Sequence, residues 1–161
     1  THYLPKNGYI LDLAMGMGNN AAYLTSQGFK VIGVDIAFEA VRFAKSQTPG
    51  LMVITADTIN LPLTIRFHGI INFYYCDRMF WKSLEKYLNP GGVVIIETLT
   101  SDILQVKPEI NPEYLLGRGE LLTFFHGWEI LEYREGWVKS EHGSQKAVSS
   151  IVAKISGNGM P

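Results

Sequence analysis

The sequence predicts an α/β fold: a mostly parallel sheet with helices on both faces and an antiparallel hairpin at its C-terminal end. Two observations carry this. Five apolar runs in the first hundred residues alternate with stretches that suit helices, the pattern of a parallel sheet joined by crossovers. The pattern then changes, and two late strand-like runs are separated by a short polar connection, the signature of a hairpin.

The elements follow in order. An apolar strand over 9–13 contains Asp12 and leads into the turn Met15-Gly16-Met17-Gly18. Asn19 and Asn20 suit the start of a helix reaching Gln27, and Gly28 suits its stop. A second strand over 29–34 ends beside Asp35, and a helix over 38–46 is closed by Pro49-Gly50. The third strand, 51–55, delivers Ala56-Asp57-Thr58 to the same edge, and Pro62 forces a loop. The fourth strand, 69–74, brings Asn72, Phe73 and Tyr74 there. A helix over 78–88 is expected to stop at Asn89-Pro90-Gly91-Gly92, before the very apolar strand 93–97. Residues 98–116 hold two prolines and no clean period, so they read as a long loop over the sheet edge. A short helix over 119–125 and strands over 128–133 and 147–155 complete the chain, with 139–146 as the polar, flexible connection.

An apolar strand, an acidic residue, a glycine turn and a helix start, followed by a second strand ending on Asp35, describe a nucleotide-type ligand whose ribose is held by the second carboxylate. Gly16-Met17-Gly18-Asn19-Asn20-Ala21 also satisfies a relaxed dinucleotide pattern, so the glycines do not choose the nucleotide. Asp12 does. A carboxylate four residues before Gly16 would repel a pyrophosphate, whereas a ligand with an amino group and a sulfonium, and no phosphate, suits it. S-adenosylmethionine (SAM) is such a ligand. The alternative is that Asp12 only caps the turn.

With the ordered set Asp12-x-Ala14-x-Gly16-x-Gly18, Asp35, Asp57, Asn72 and Asn89-Pro90-Gly91-Gly92, the chain resembles the class I SAM-dependent methyltransferases, from about Tyr9 to Ile155. Gly18-Asn19-Asn20-Ala21, the run Asn72 to Arg78, Gly119-Glu120-Leu121 and Gly127-Trp128-Glu129-Ile130 resemble the tellurite-resistance type of small bacterial methyltransferase. Met15 departs from a usual cysteine, Asn19 from a common arginine and His68 from a usual aspartate. The resemblance implies a Rossmann-like fold and methyl transfer from SAM, with S-adenosylhomocysteine (SAH) as product. It further implies Gly16 and Gly18 at close backbone approach, with Ala14, Met15 and Asn20 around them, Asp12 at the amino-acid end and Asp35 on the ribose. Ile36 would pack on the adenine, Asp57 and Thr58 would read its edge, and Asn72 and Phe73 would lie near the sulfonium.

No catalytic side chain is assigned, because SAM is already activated and a soft acceptor needs no strong base. Tyr74, Tyr75, Asp77, Glu120 and His126 are the candidates for a base, each with an ordinary packing or capping role as the alternative. For the acceptor, Tyr74, Tyr114 and Arg118 are expected to contribute, the last two with Ser101 and Asp102 from a loop that closes over the fourth strand.

With 161 residues, 47% of them hydrophobic, the chain is expected to form one domain. A net charge of -1 with no basic run disfavours nucleic acid as substrate, which leaves a small-molecule methyl acceptor. No apolar run approaches a membrane span, the four histidines lack metal-ligand spacing, and the lone Cys76 fits a reducing cytoplasm. Because the chain begins on Thr1 close to the first strand, a helix that precedes this strand in the resembling enzymes is expected to lie outside it. Two other classes stay open: an NAD-dependent oxidoreductase and a SAM-binding protein without catalysis.

Overall fold

Strand β1 (Tyr9–Leu13) sits in the interior of the sheet because its apolar residues serve both faces. Leu11 and Leu13 point into one hydrophobic layer and Ile10 into the other. The computed structural model describes residues 1–139 and 143–155. Parallel to β1 lie β2 (Lys30–Asp35) on one side and β4 (Phe67–Phe73) on the other. β3 (Met52–Thr55) extends the sheet beyond β2, and β5 (Leu88–Leu99) beyond β4. β7 (Gln145–Lys154) runs antiparallel to β5, and β6 (Glu129–Lys139) pairs antiparallel with β7 at the edge. The seven-stranded order is β3-β2-β1-β4-β5-β7-β6. The chain thus leaves β1 in one direction, returns to place β4 on its other side, and opens a crevice at the carboxyl ends of β1 and β4, where ligands bind in sheets of this kind.

Helices α1 (Asn19–Ser26) and α2 (Phe38–Gln47) cover one face with Ala21, Leu24, Val41 and Ala44, against Ile10, Val31 and Ile71. The other face carries α3 (Arg78–Trp81), α4 (Leu84–Tyr87) and α5 (Glu120–Phe124), whose Phe80, Trp81, Leu84 and Leu121 meet Leu11, Ile70, Val94 and Ile96. Each such fully buried aliphatic side chain contributes about 1.5–3 kcal/mol, which makes these two layers the main stabilising term.

Several boundaries differ from the sequence reading. The helix expected over 78–88 is two short turns, interrupted at Lys82 and Ser83, where the Ser83 N–H and hydroxyl both donate to the Phe80 carbonyl and take it out of the helical ladder. Asn89-Pro90-Gly91-Gly92 falls inside the span of β5: Gly91 is at φ +75°, and the β4 register shifts between Phe67 and Gly69 to absorb it. Neither Asn19 nor Asn20 caps α1. Gly18, at φ 79°, occupies that position without a side-chain bond. The segment 98–116 is less irregular than expected, containing 3-10 turns at Ser101–Gln105 and Pro112–Tyr114. β6 runs six residues past Tyr133, and of the connection read as flexible, residues 140–142 lie outside the described residues.

Candidate SAM-type cleft at the carboxyl edge

The turn after β1 is held from the neighbouring strand. Met15 N–H donates to the Val34 carbonyl at 3.0 Å, and Gly16 N–H donates to Asp35 Oδ2 at 2.7 Å. The other oxygen of Asp35 accepts from Ala37 N–H at 2.9 Å. One carboxylate therefore fixes the glycine turn and the start of α2 together. Gly16 is at φ +56°, and a Cβ built on it would meet no atom within 4 Å, so this backbone borders open space. Gly18 has a different role: a Cβ there would lie 2.7 Å from Ala44 Cβ, so its lack of a side chain lets α1 approach α2. Ala14, at φ 53°, holds the left-handed conformation that costs a residue with a Cβ about 1–2 kcal/mol.

Beside this turn lies a cleft of about 200 Å³ lined by Ala14, Asp35, Ile36, Ala56, Asp57, Thr58 and Tyr75. Ile36 is 68% exposed, an apolar side chain left facing that space. Asp57 caps the following turn through the Ile59 N–H at 3.0 Å. Thr58 is buried and donates to Asp77 Oδ2 at 2.8 Å, while the Tyr75 hydroxyl lies 3.2 Å from Thr58 Oγ1 and donates to the same Asp77 oxygen at 3.4 Å. Asp77 also accepts the Phe80 N–H, so it caps α3 and anchors the cleft wall at once.

Asp12 is 1% exposed, and its Oδ2 has no hydrogen-bond partner. Burial pushes its carboxyl up to about 7; the backbone of Ala21 counteracts this and the nearby Asp35 adds to it. A buried carboxyl with one oxygen left without a partner, one strand residue and a turn from Gly16, suits a cationic group. Asn72, also buried, has its side chain engaged: it donates to the Leu13 carbonyl at 3.3 Å and accepts the Trp81 indole N–H at 2.9 Å.

A model of the methyltransferase domain matches residues 10–92, from β1 through the start of β5. The chain belongs to this family. Within it, a probable SAM-dependent methyltransferase, TehB, of Haemophilus influenzae is 25% identical over 138 residues, covering 78% of this chain and 48% of that protein. An uncharacterized methyltransferase of Alkaliphilus oremlandii is 25% identical over 112 residues, 65% of this chain and 52% of that protein. The chain thus spans about half the length of the curated relatives it matches. In three dimensions it superposes on TehB of H. influenzae with a TM-score of 0.76 at 20% identity, over 92% of this chain and 57% of that one. A SAM-dependent methyltransferase of Methanosarcina mazei gives 0.76 at 18% identity, over 96% and 95%. The methyltransferase fold, with its antiparallel final hairpin, and the resemblance to the tellurite-resistance type are thereby both found.

Of the residues singled out in the sequence, Ala14, Asp35, Ile36, Asp57 and Thr58 meet in one cleft. Met15 instead packs inward, its Sδ filling the space above Gly33. Asn20 and Phe73 line a neighbouring hollow of about 140 Å³ with Tyr23, Ile71 and Ile95. Tyr75 and Ala56 belong to the cleft, although the sequence reading had not placed them with the cofactor. The hint for Tyr75 was the run of three aromatics, which strand alternation alone does not resolve.

Tyr114 and Arg118 stand apart from all the clefts described here. Tyr114 is exposed, and Arg118 pairs with Asp102 at 3.0 Å on the surface. Of the base candidates, Glu120 is clasped by Arg78, which holds its carboxyl below the usual range, and His126 lines a separate hollow beside Trp81 and Trp128. Among the described residues no group of three His, Cys, Asp or Glu is placed to hold a metal ion, and no helix is long and apolar enough to cross a membrane.

Proposed function

We propose that this chain binds SAM over the carboxyl ends of β1 to β4 and transfers its methyl group to a small-molecule acceptor, releasing SAH. The observation that carries this is the pairing of a nucleoside-sized cleft bearing Asp35 with the buried Asp12 just before the glycine turn, whose Oδ2 has no partner. In this reading the Asp35 oxygens receive the ribose hydroxyls, Ile36 packs on the adenine, and Asp57 with the Thr58 backbone meets its polar edge. Tyr75 closes the far wall. Burial pushes its phenol up, so it remains a hydrogen-bond donor at neutral pH. The open backbone at Gly16 leaves room for the amino-acid portion, with Asp12 supplying the opposite charge and Asn20 and Phe73 bordering its exit. Gly18 supports the site by packing rather than by contact, and Asn72 does so by holding the ends of β1 and α3.

When bound, SAM supplies an electrophilic methyl group on a sulfonium. The protein's contribution is to exclude water and hold an acceptor in line, an effect worth about 7–11 kcal/mol when alignment is good. A dinucleotide is opposed by the same Asp12, whose carboxylate would face phosphates. The small-molecule acceptor is supported by the absence of a basic run, and a cytoplasmic setting by the single cysteine. Calorimetric titration with SAH and, separately, with NADH tests the reading: SAH should bind with one site per chain and NADH should not. Binding of NADH in place of SAH would overturn it.

A further inference from the structure

The face of the sheet covered by α3, α4 and α5 holds a hollow of about 430 Å³ that shares no residue with the nucleoside cleft. Its lining comes from 81–85 and 123–128, two stretches in the interior of the chain. Aromatic rings build its walls. Trp81 and Phe124 meet edge to face, with centroids 5.6 Å apart at 81°, and Phe125 and Trp128 do the same at 5.3 Å and 85°. Trp81 and Phe125 are buried in the core, whereas Phe124 and Trp128 are half-buried and keep apolar surface toward the hollow. A Cβ built on Gly127 would meet no atom within 4 Å, so the turn before Trp128 borders open space. Two opposite charges stand at the rim: Lys82 at the break between α3 and α4, and Glu85 in the first turn of α4. Both are exposed, and among the described residues neither has an ion-pair partner.

Trp81 also connects this hollow to the carboxyl edge. Its indole N–H donates to Asn72 Oδ1 at 2.9 Å, and Asn72 Nδ2 donates to the Leu13 carbonyl at 3.3 Å. Leu13 is the last residue of β1 before the left-handed Ala14 and the glycine turn. One side chain is therefore both a wall of the hollow and a brace of the cofactor turn.

We propose that this hollow is a second ligand site, that it takes a free aromatic amino acid, and that its occupant tightens the cofactor cleft through Trp81. Apolar walls with a few polar groups around a space of this size are the build of a small-molecule pocket. The rings select a ring, because edge-to-face and offset contacts add to the burial of apolar area. The rim selects a zwitterion. A carboxylate meets Lys82 and an ammonium meets Glu85, whereas a ligand with only one charge would attract one of these residues and be repelled by the other. Thr123 and His126 add hydrogen-bonding groups beside the charged pair. A ring packed on Trp81 restricts it, and the ordered indole then holds Asn72 and the Leu13 carbonyl in place before the cofactor arrives. The coupling rests on the methyl-transfer reading above; the ligand of the hollow does not.

The test uses the whole chain and four probes: L-phenylalanine, 3-phenylpropionate, phenethylamine and L-leucine. Calorimetry should show one site per chain for L-phenylalanine, with affinity about fivefold or more above that of each other probe. Lys82→Gln should weaken L-phenylalanine and 3-phenylpropionate by about threefold to tenfold and leave phenethylamine no weaker; Glu85→Gln should weaken L-phenylalanine and phenethylamine instead. Both residues are exposed, so neither change threatens the fold. Saturating L-phenylalanine should lower the Kd for SAH by about fivefold, and SAH should lower the Kd for L-phenylalanine by the same factor. Trp81→Phe, which keeps a ring and loses the indole N–H, should still bind L-phenylalanine and show no mutual effect; if that variant unfolds, the reciprocal shift in the wild type decides the coupling. Absence of L-phenylalanine binding, binding that ignores both rim substitutions, or a preference for a singly charged probe or for L-leucine overturns the site. A Kd for SAH that does not move with L-phenylalanine overturns the coupling alone. If SAH does not bind the wild-type chain, the methyl-transfer reading falls and the coupling with it, while the L-phenylalanine titration still decides the hollow.

Discussion

Asp12 concentrates the chemistry of the site in one side chain, and its burial gives it a pH signature. Its folded value of about 7 lies above that of an exposed carboxyl, so the native state holds the proton longer than the unfolded chain does. The stability this contributes is fully present below about pH 4 and is lost as pH rises through about 7. Asp12→Asn should therefore leave stability near pH 4 almost unchanged and raise it at pH 8 by on the order of 4 kcal/mol in urea titrations. If the ligand's ammonium group sits against this carboxylate, SAH affinity should rise from pH 6 to 8 in the wild type, and the variant should bind weakly at both. Gly16 makes a complementary case. Its Cβ direction is empty and its φ is +56°, so Gly16→Ala should cost about 1 kcal/mol of stability through backbone strain alone. Its SAH affinity should fall by much more than that strain accounts for, and wild-type affinity in a folded Gly16→Ala protein would detach the turn from the ligand. Asp35 needs a different expectation, because its carboxylate bonds Gly16 and Ala37 before any ligand arrives. Asp35→Ala should lose about 1–3 kcal/mol of stability in addition to ribose binding, and both are measurable on one sample by thermal unfolding with and without SAH.

At the scale of elements, the most consequential contact is the clasp between α3 and α5. Arg78 donates to Glu120, to the Leu115 carbonyl at 2.8 Å and to the Glu113 carbonyl at 3.2 Å, so one guanidinium fastens the segment 113–120 to the start of α3. Arg78→Ala should reduce stability by about 1–2 kcal/mol and speed hydrogen exchange of the amides at 113–120. SAH affinity should stay within about 0.5 kcal/mol, as for a change remote from the ligand; a larger loss would tie the clasp to the cleft. This clasp also shows where sequence reading stops. β1 to β4 and the edge residues were legible because apolar runs bounded by Gly and Pro report strands directly, and Asp12, Asp35 and Asp57 stand at the ends of those runs. Arg78 and Glu120 are 42 residues apart and signal nothing locally, so Glu120 looked like a helix-start residue and Arg78 like part of a helix cap. β6 was read as ending at Tyr133, before the charged pair Arg134 and Glu135 and the glycine Gly136. In the sheet they continue pairing with β7, where an edge strand accepts charge.

At the scale of the whole molecule, the cleft is made by residues that are distant in sequence and joined only through the sheet: Ala14 follows β1, Asp35 ends β2, Asp57 follows β3 and Tyr75 follows β4. A ligand there links four connections whose opening would otherwise be independent, and the unfolded chain has no such site to offer it. Binding must then stabilise the fold by mass action, by about 2.7 kcal/mol at a free ligand concentration a hundred times Kd. For a chain of 161 residues, with about 2–4 °C of Tm for each kcal/mol, SAH at that excess should raise Tm by about 5–11 °C. NADH at the same concentration should leave Tm unchanged. The shift should shrink in Asp35→Ala and Gly16→Ala, whose changes lie in the cleft, and persist in Arg78→Ala, whose change does not, even though all three variants begin from a lower Tm. A SAH shift of equal size in all three variants would place the ligand somewhere other than the carboxyl edge of β1 to β4.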